Sequence, residues 1–483
     1  MATPSFFWHD YETFGIDTRR DRPVQFAGIR TDIKLNIIEE PVTCYCKPSL
    51  DYLPHPEACL LTGITPQIGV SKGVCETEFS ANIHQHIARP GTCTVGYNNI
   101  RFDDEITRNL FYRNFLDPYA REWQQGNSRW DLIDLVRTAY ALRPEPIQWP
   151  TKPDGSVSLR LEDLSAANDL EHHSAHDALS DVYATIALAK LIKQKLPKLF
   201  HFVFENRLKQ KAHSLLQASN MQPILHVSGR YSSAQHCLAV VVVVGEHPTN
   251  KNEVIVFNLA EDPAPMLELT ADEIKHRLFT AATDLPEGIH RIPLKTIHLN
   301  RCPVIAPLKT LRATDQDRLN IDISLCLENL EKIKQQPTLA KKLGQVFSPN
   351  YDETESDPDL MIYSGGFFNQ HDKALFEQIR LSEPAKLAEI DFKFNDKRLS
   401  EMLFRYRARN FPETLTDQEL AKWKQFCRKK IMETNNSEGK SLMAQHLDRI
   451  NELKTKHQDE QGLNEIVASL EQYAGQVEQS IVG

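Results

Sequence analysis

The stretch Ser5-Phe6-Phe7-Trp8-His9-Asp10-Tyr11-Glu12-Thr13-Phe14-Gly15 decides the fold. Its aromatic run, Phe6 to Trp8, drives the chain into a core, and the segment reads as a buried strand. Asp10 and Glu12 follow, two residues apart. Strand side chains alternate faces with period two, so both carboxylates point to one side. Two acids on one face of a buried strand repel each other and cost desolvation energy. A divalent cation removes that cost, because hard cations prefer carboxylate oxygens. A bare Asp-x-Glu equally fits a strand end with two solvated acids. The metal reading therefore needs partners elsewhere in the chain.

Outward from this strand, composition sets the limits. A chain of 483 residues exceeds one ordinary domain, and roughly two to four are expected. With 41% hydrophobic and 25% charged residues it reads as globular. It has no apolar run of about 18 residues and no basic-then-apolar leader, which predicts no membrane span and no secretion. Nine scattered cysteines, with Cys44 and Cys46 the one close pair, fit a reducing cytoplasm better than a zinc site or a disulfide scaffold. The net charge of −9 argues against a nonspecific nucleic-acid coat. Local basic stretches run against that average. Lys190, Lys193, Lys195, Lys198, Arg207, Lys209 and Lys211 face the single acid Glu205, and residues 401–431 hold eight basic residues and four acids. Either stretch fits a phosphate-tracking groove or a solvated helix face.

Residues 25–32 and 35–47 read as further strands, forming an antiparallel meander with the first. Helices follow at 56–61 and 76–88, then a short strand at 92–97, which places Asp103 at a strand-to-helix junction where ligands of α/β sheets gather. Residues 129–142 have helical period, as do 161–167 and the stretch after His176 to about residue 195. This predicts a mixed α/β domain over 1–196. Residues 197–350 change character. Five consecutive valines, Val240 to Val244, and strands near 254–259, 292–299 and 304–306 predict a small β barrel with appended helices. Residues 351–359 hold five acids and no base, and read as an exposed linker into a helical domain over 351–483.

Four carboxylates and one histidine stand out: Asp10, Glu12, Asp103, Asp181 and His176. Each carboxylate follows an element that can converge on one sheet edge. Four acids at one point are unstable without bound metal. Two divalent ions about 4 Å apart are the known use of such a cage, one activating water and the other holding the leaving oxygen of a phosphodiester. A histidine beside that water can take its proton. These residue types fit metal-assisted phosphodiester hydrolysis.

The same residues resemble a known family. Asp10-Tyr11-Glu12-Thr13, Asn98-Asn99-Ile100-Arg101-Phe102-Asp103 and His176-Asp177-Ala178-Leu179-Ser180-Asp181 follow the signature of the DEDD exonucleases, in the subgroup with histidine. Gly96-Tyr97-Asn98-Asn99, Phe111-Tyr112-Arg113-Asn114-Phe115, Ser128-Arg129-Trp130-Asp131-Leu132 and residues 404–411 with Pro412 resemble bacterial exonuclease I, as does the three-part plan over nearly the whole chain. The resemblance implies a ribonuclease H-like exonuclease domain with a mixed sheet, an SH3-like β barrel and a C-terminal helical domain. It implies processive 3′-to-5′ hydrolysis of single-stranded DNA to 5′-mononucleotides, in DNA repair and recombination, by a monomer. Two Mg²⁺ ions on Asp10, Glu12, Asp103 and Asp181 are implied, with Mn²⁺ able to substitute, and His176 as general base. A partner is also implied, the acidic C-terminal tail of the single-strand DNA-binding protein.

Further candidates follow from that resemblance. Glu12, Thr13 and Phe14 sit where the family holds the 3′-terminal nucleotide, and Phe14 fits either a base platform or the core. Arg160 opens a short helix before the histidine motif and fits either a phosphate clamp or a surface ion pair. Arg108, on the helix that Asp103 begins, can reach backbone phosphates. Arg312, Leu327 and Lys334 are the candidates for a basic, partly apolar pocket that takes the partner's tail. Arg405, Arg407 and Arg409 can line one wall of a groove around the strand, opposite the basic residues of 190–211. In that reading, a chain ending near residue 351 keeps its activity on short oligonucleotides. A one-domain proofreading subunit or oligoribonuclease is too short to match this chain. A catalytically silent binding module would lack an acid, and none is lacking. DNA against RNA stays open at this level, since treatment of the 2′-OH is not legible in sequence.

Overall fold

The computed structural model describes residues 3–171, 176–348, 355–434 and 439–482. The chain forms two compact units. The first comprises Met1–Arg129, His172–Tyr183 and Glu353–Gly483, and the second Trp130–Glu171 and Ala184–Asp352.

The opening stretch is strand β1, Ser5–Thr13. It pairs antiparallel with β2, Pro23–Thr31, in a register that sets Asp10 against Ala27 and Glu12 against Gln25. It also pairs in parallel with β4, Thr92–Gly96. With β3, Val42–Tyr45, and β5, Ser128–Asp131, these make a mixed sheet of order β3-β2-β1-β4-β5. Period-two alternation gives β1 two different faces. Phe7 and Tyr11 pack with Phe26 against Phe79, Ile83, Ile106 and Leu110 of the helices Glu76–Ile87 and Asp103–Arg113. The opposite face ends in Asp10 and Glu12.

Two local expectations change. Only residues 42–45 of the expected 35–47 strand are extended, because Asp32 accepts the backbone N–H of Lys34 and Asn36 and folds the chain into a turn. The expected helix over 129–142 is a strand followed by a helix, Leu132–Leu142. Asp131 accepts the Ile133 N–H as an N-cap, so the helix begins there and not at Arg129.

In the second unit the expected barrel is an antiparallel sheet of order β10-β6-β7-β8-β9. Its strands are β6 Ile224–Val227, β7 Leu238–Glu246, β8 Glu253–Asn258, β9 Leu294–His298 and β10 Val304–Pro307. The valine run lies at its centre, with Val241 and Val256 in the core beside Ala212 and Leu216 of the helix Lys209–Ser219. Among the described residues no ladder joins β9 to β10, so this sheet has edges.

The largest departure concerns the C-terminal helices. They are built into the first unit as part of its interior. Phe14, Val24 and Tyr52 share one core with Ile450, Leu453, Val467 and Leu470 of the helices Leu442–Lys456 and Gln461–Val482. Tyr112 and Phe115 share another with Phe376, Leu399 and Tyr406. The arginines expected in a strand-binding wall are buried bolts. Arg405 pairs with Asp357, Asp359 and Glu401, Arg407 with Glu419, and Arg409 with Asp51 and Asp359. Asp357 and Asp359 of the expected acidic linker are thus counter-charges of Arg405 and Arg409, Glu355 pairs with Arg19 and Arg20, and Asp359 is buried. Its first residues, 351–354, lie outside the described residues.

Asp51 is the hub. It accepts Arg409 at 3.0 Å and Lys430 at 3.0 Å, with Arg22 at 3.7 Å. Burial alone would raise its carboxyl, but Arg409, Lys430 and Arg22 hold it well below the usual range. Removing one member of such a set strands buried charge and costs about 3–5 kcal/mol. Asp51→Ala is therefore expected to lower the denaturant midpoint sharply, and a loss under about 1 kcal/mol would show the hub to be dispensable. For the same reason a chain ended before residue 353 is expected not to unfold cooperatively, because it exposes Phe14 and Tyr52 and takes Arg409 and Lys430 away from Asp51. A folded, cooperative truncation would contradict this.

Candidate active site

Asp10, Glu12 and Asp181 each bring a carboxylate oxygen to one place, all within 4.8 Å of one another. The first two arrive by strand alternation on β1. Asp181 arrives on the first turn of the helix Ala178–Lys195. Asp103, the first residue of its helix, presses on the same strand and accepts the Tyr11 backbone N–H at 3.2 Å. That bond places a fourth carboxylate beside the backbone between Asp10 and Glu12.

The electrostatics follow from this crowding. Burial, then Asp103, Glu12, Asp181 and Asp177, hold the Asp10 carboxyl well above its ordinary range. Glu12 is pushed up to about 8 by burial, then by Asp181 and Asp177. Acids that repel one another in a half-buried place suit a hard divalent cation, which takes oxygen ligands and cancels their charge. The residues present therefore fit a divalent metal.

Neighbouring acids at the same helix start have different fates. Asp104, fully buried, bonds Arg121 at 2.7 Å and Arg129 at 2.9 Å. Burial opposes its charge, but the two guanidinium groups outweigh burial and lower its pKa. Asp104 thus neutralises itself inside the fold, while Asp103 turns toward β1.

His176 stands in the turn before the helix that carries Asp181, at φ +64°. A non-glycine residue rarely adopts this left-handed conformation. Next to it, Asp177 accepts the Ser180 N–H at 3.1 Å and so caps the helix. Asp177 was missed as part of the site, although an Asp just before a helical run is an N-cap signal. Two further histidines just before this motif in sequence, His172 and His173, lie outside the described residues.

The other candidates divide. The Thr13 hydroxyl, buried, bonds the Gly15 carbonyl at 2.6 Å. Phe14 is 1% exposed and packs on Tyr52, so its ring is core and not a base platform. The apolar side chain offered to solvent after the acids is Ile16, at 89% exposure. Arg108 is buried in ion pairs with Glu105 and Glu122, both at 2.7 Å, so its charge is already spent. In the second unit, Arg160 is exposed at the head of the helix Leu161–Ala167, with Glu162 at 3.6 Å. In the same unit, Arg312 pairs with Asp315 and Glu145, Lys334 pairs with Glu331, and Leu327 is exposed. Arg312 and Lys334 hold their charges in surface pairs and remain partly exposed.

Comparison with known proteins places this geometry. A family model described as Exonuclease matches residues 7–189, Exonuclease I SH3-like domain matches 207–349, and Exonuclease I C-terminal domain matches 356–477. The chain is 45% identical over 474 residues to Exodeoxyribonuclease I of Escherichia coli K12, covering 98% of each. Exonuclease I from Methylocaldum szegediense is 51% identical in a solved structure, with a TM-score of 0.93 over 98% of this chain and 99% of that one. Exonuclease I of E. coli, solved in complex with a dA16 oligonucleotide, is 44% identical with a TM-score of 0.94, over 98% of this chain and 100% of that one. With its acids gathered at the end of β1 and its length matched throughout, the chain belongs to the exonuclease I family of exodeoxyribonucleases.

Proposed function

We propose that the protein hydrolyses single-stranded DNA from the 3′ end, releasing 5′-mononucleotides. The observation that carries this reading is the convergence of Asp10, Glu12 and Asp181, with Asp103 against the strand between them. These four acids would hold two Mg²⁺ ions, with Mn²⁺ able to replace them. Bound there, the ions would supply an activated water and neutralise charge on the phosphate that is cut. The chain's own residues do the rest. His176 takes the proton of the attacking water. Glu12 and Thr13 flank the 3′-terminal nucleotide, and Ile16 offers it an apolar contact. Arg160 clamps a phosphate.

Processive action belongs to the same reading, without Arg405, Arg407 and Arg409 as a wall. Lys190, Lys195, Lys198 and Lys211 are exposed and suit phosphate contacts along the strand. The acidic tail of the single-strand DNA-binding protein is the proposed partner, at Arg312, Leu327 and Lys334. A cytoplasmic monomer acting in DNA repair completes the proposal. Its nine cysteines are all free thiols, as a reducing compartment leaves them. Among the described residues no helix is long and apolar enough to cross a membrane.

The reading is tested with end-labelled single-stranded DNA, duplex DNA and RNA, each with Mg²⁺ and with chelator. Mononucleotide release from single-stranded DNA alone, and only with cation, is expected. Asp10→Ala is expected to abolish release while keeping DNA binding. Full activity of that variant would remove the acid cage from the mechanism. His176→Ala is expected to lose about 10²–10⁴-fold in kcat with binding retained, the usual worth of a general base. A loss under about threefold would take the base role from His176.

The crowded acids also predict a pH dependence of the metal-free protein. Burial, then Asp181 and Asp177, push the Glu12 carboxyl up to about 8 in the folded chain, against its ordinary value of 4.5. The folded state therefore binds protons more tightly than the unfolded one, and loses stability as pH rises between those values. Asp181→Asn removes the carboxylate that, after burial, raises Glu12 most. Its unfolding midpoint without cation is expected to exceed wild type at about pH 8 and to approach it near pH 4.5. A lower midpoint at the higher pH would contradict the repulsion.

A further inference from the structure

One buried amide joins the elements that carry the acids to the turn that carries the histidine. Gln25 sits on β2 directly across from Glu12 in one direction and from Tyr45 of β3 in the other. It is 1% exposed. Its Nε2 donates to the Asp177 carboxylate at 3.2 Å and to the Tyr45 hydroxyl at 3.0 Å. Its Oε1 faces the Ala178 N–H at 3.5 Å, a long contact at the first residue of the helix. Both donors and the acceptor of this side chain are thus directed, two of the three contacts going to the residues just after His176. A buried amide in the middle of a sheet costs free energy unless it is bonded in this way. An apolar residue would serve β2 as well for packing alone.

The turn it holds needs holding. His176 carries a positive φ, which costs of order 1–3 kcal/mol in a non-glycine residue and persists only where the surroundings impose it. Asp177 is fixed from both sides, by Gln25 through one carboxylate oxygen and by the Ser180 N–H through the other. With Asp177 pinned between sheet and helix, the residue before it has little freedom of direction. We infer that Gln25 is a positioning residue for His176: it ties the histidine turn to the strand opposite Glu12 and so fixes where the imidazole stands relative to the acids. This rests on the proposed role of His176 as the base.

The test is a double-mutant cycle. Gln25→Met keeps length and packing but removes every hydrogen bond. In the wild-type background it is expected to lower kcat about tenfold, with KM for an oligonucleotide unchanged within about twofold. In a His176→Ala background the same substitution is expected to change kcat by less than about twofold, because there is no imidazole left to misplace. A merely structural role predicts the same fold-loss in both backgrounds, and that result, or a loss seen only in KM, would overturn the assignment. Should Gln25→Met fail to fold, Asp177→Ala removes the same bond from its half-buried side. It is then expected to show the same dependence on His176, and an equal loss in both backgrounds would overturn the assignment. Tyr45→Phe removes the third partner only, and is expected to keep kcat within about twofold. Failure of the base reading gives a different pattern, since His176→Ala alone would then be nearly as active as wild type.

Discussion

Carboxylates crowd together and repel one another at the end of β1. Left to themselves, Asp10, Glu12, Asp103 and Asp181 would separate or take up protons. The fold denies them the first option. Two are fixed on one face of a strand in mid-sheet, one by a hydrogen bond to that strand's backbone, and one by a helix start. What remains is protonation or a cation, and burial with Asp181 and Asp177 pushes the Glu12 carboxyl up to about 8, toward the former.

Holding repelling groups in place demands a rigid frame, and here the C-terminal helices enter. Phe14, two residues beyond Glu12, is packed under the helices Leu442–Lys456 and Gln461–Val482. Tyr52 packs on its ring and donates to its carbonyl at 3.0 Å. The Asp51 hub bolts the same helical region down through Arg409 and Lys430. Buried ion pairs contribute little net stability over apolar packing, but they tolerate no change of partner. They specify one docking of the helices on the catalytic strand's end. The C-terminal region is in this sense part of the nuclease core, however far it lies from the acids in sequence.

The sequence carries the centre of the site legibly and its surroundings poorly, for physical reasons. The spacing of Asp10 and Glu12 on an alternating strand, and of Asp181 behind His176, is local, so the reading needed no tertiary knowledge. Asp103 and Asp104 are adjacent and chemically alike. Only the position of Arg121 and Arg129 decides which of them is neutralised. Phe14 and Arg405 failed as substrate contacts for a related reason. An aromatic after a motif, or arginines between aromatics, read the same on a surface as in a core, and long-range partners such as Val467 or Asp359 choose between them. Gln25 left no sequence signal, because its significance lies in the β1–β2 register. The strand β6 and the open order of the second sheet were likewise matters of pairing, which composition does not encode.

If the four acids form one cation site, removing any one of them weakens cation binding by the others. Calorimetric titration of Mn²⁺ into the metal-free protein, with wild type and Asp181→Asn compared under identical conditions, tests it most directly. The account predicts about two ions bound per wild-type chain, with at least one lost or greatly weakened in the variant, although Asp181 is far from Asp10 and Glu12 in sequence. Equal stoichiometry and affinity in the two proteins would contradict it.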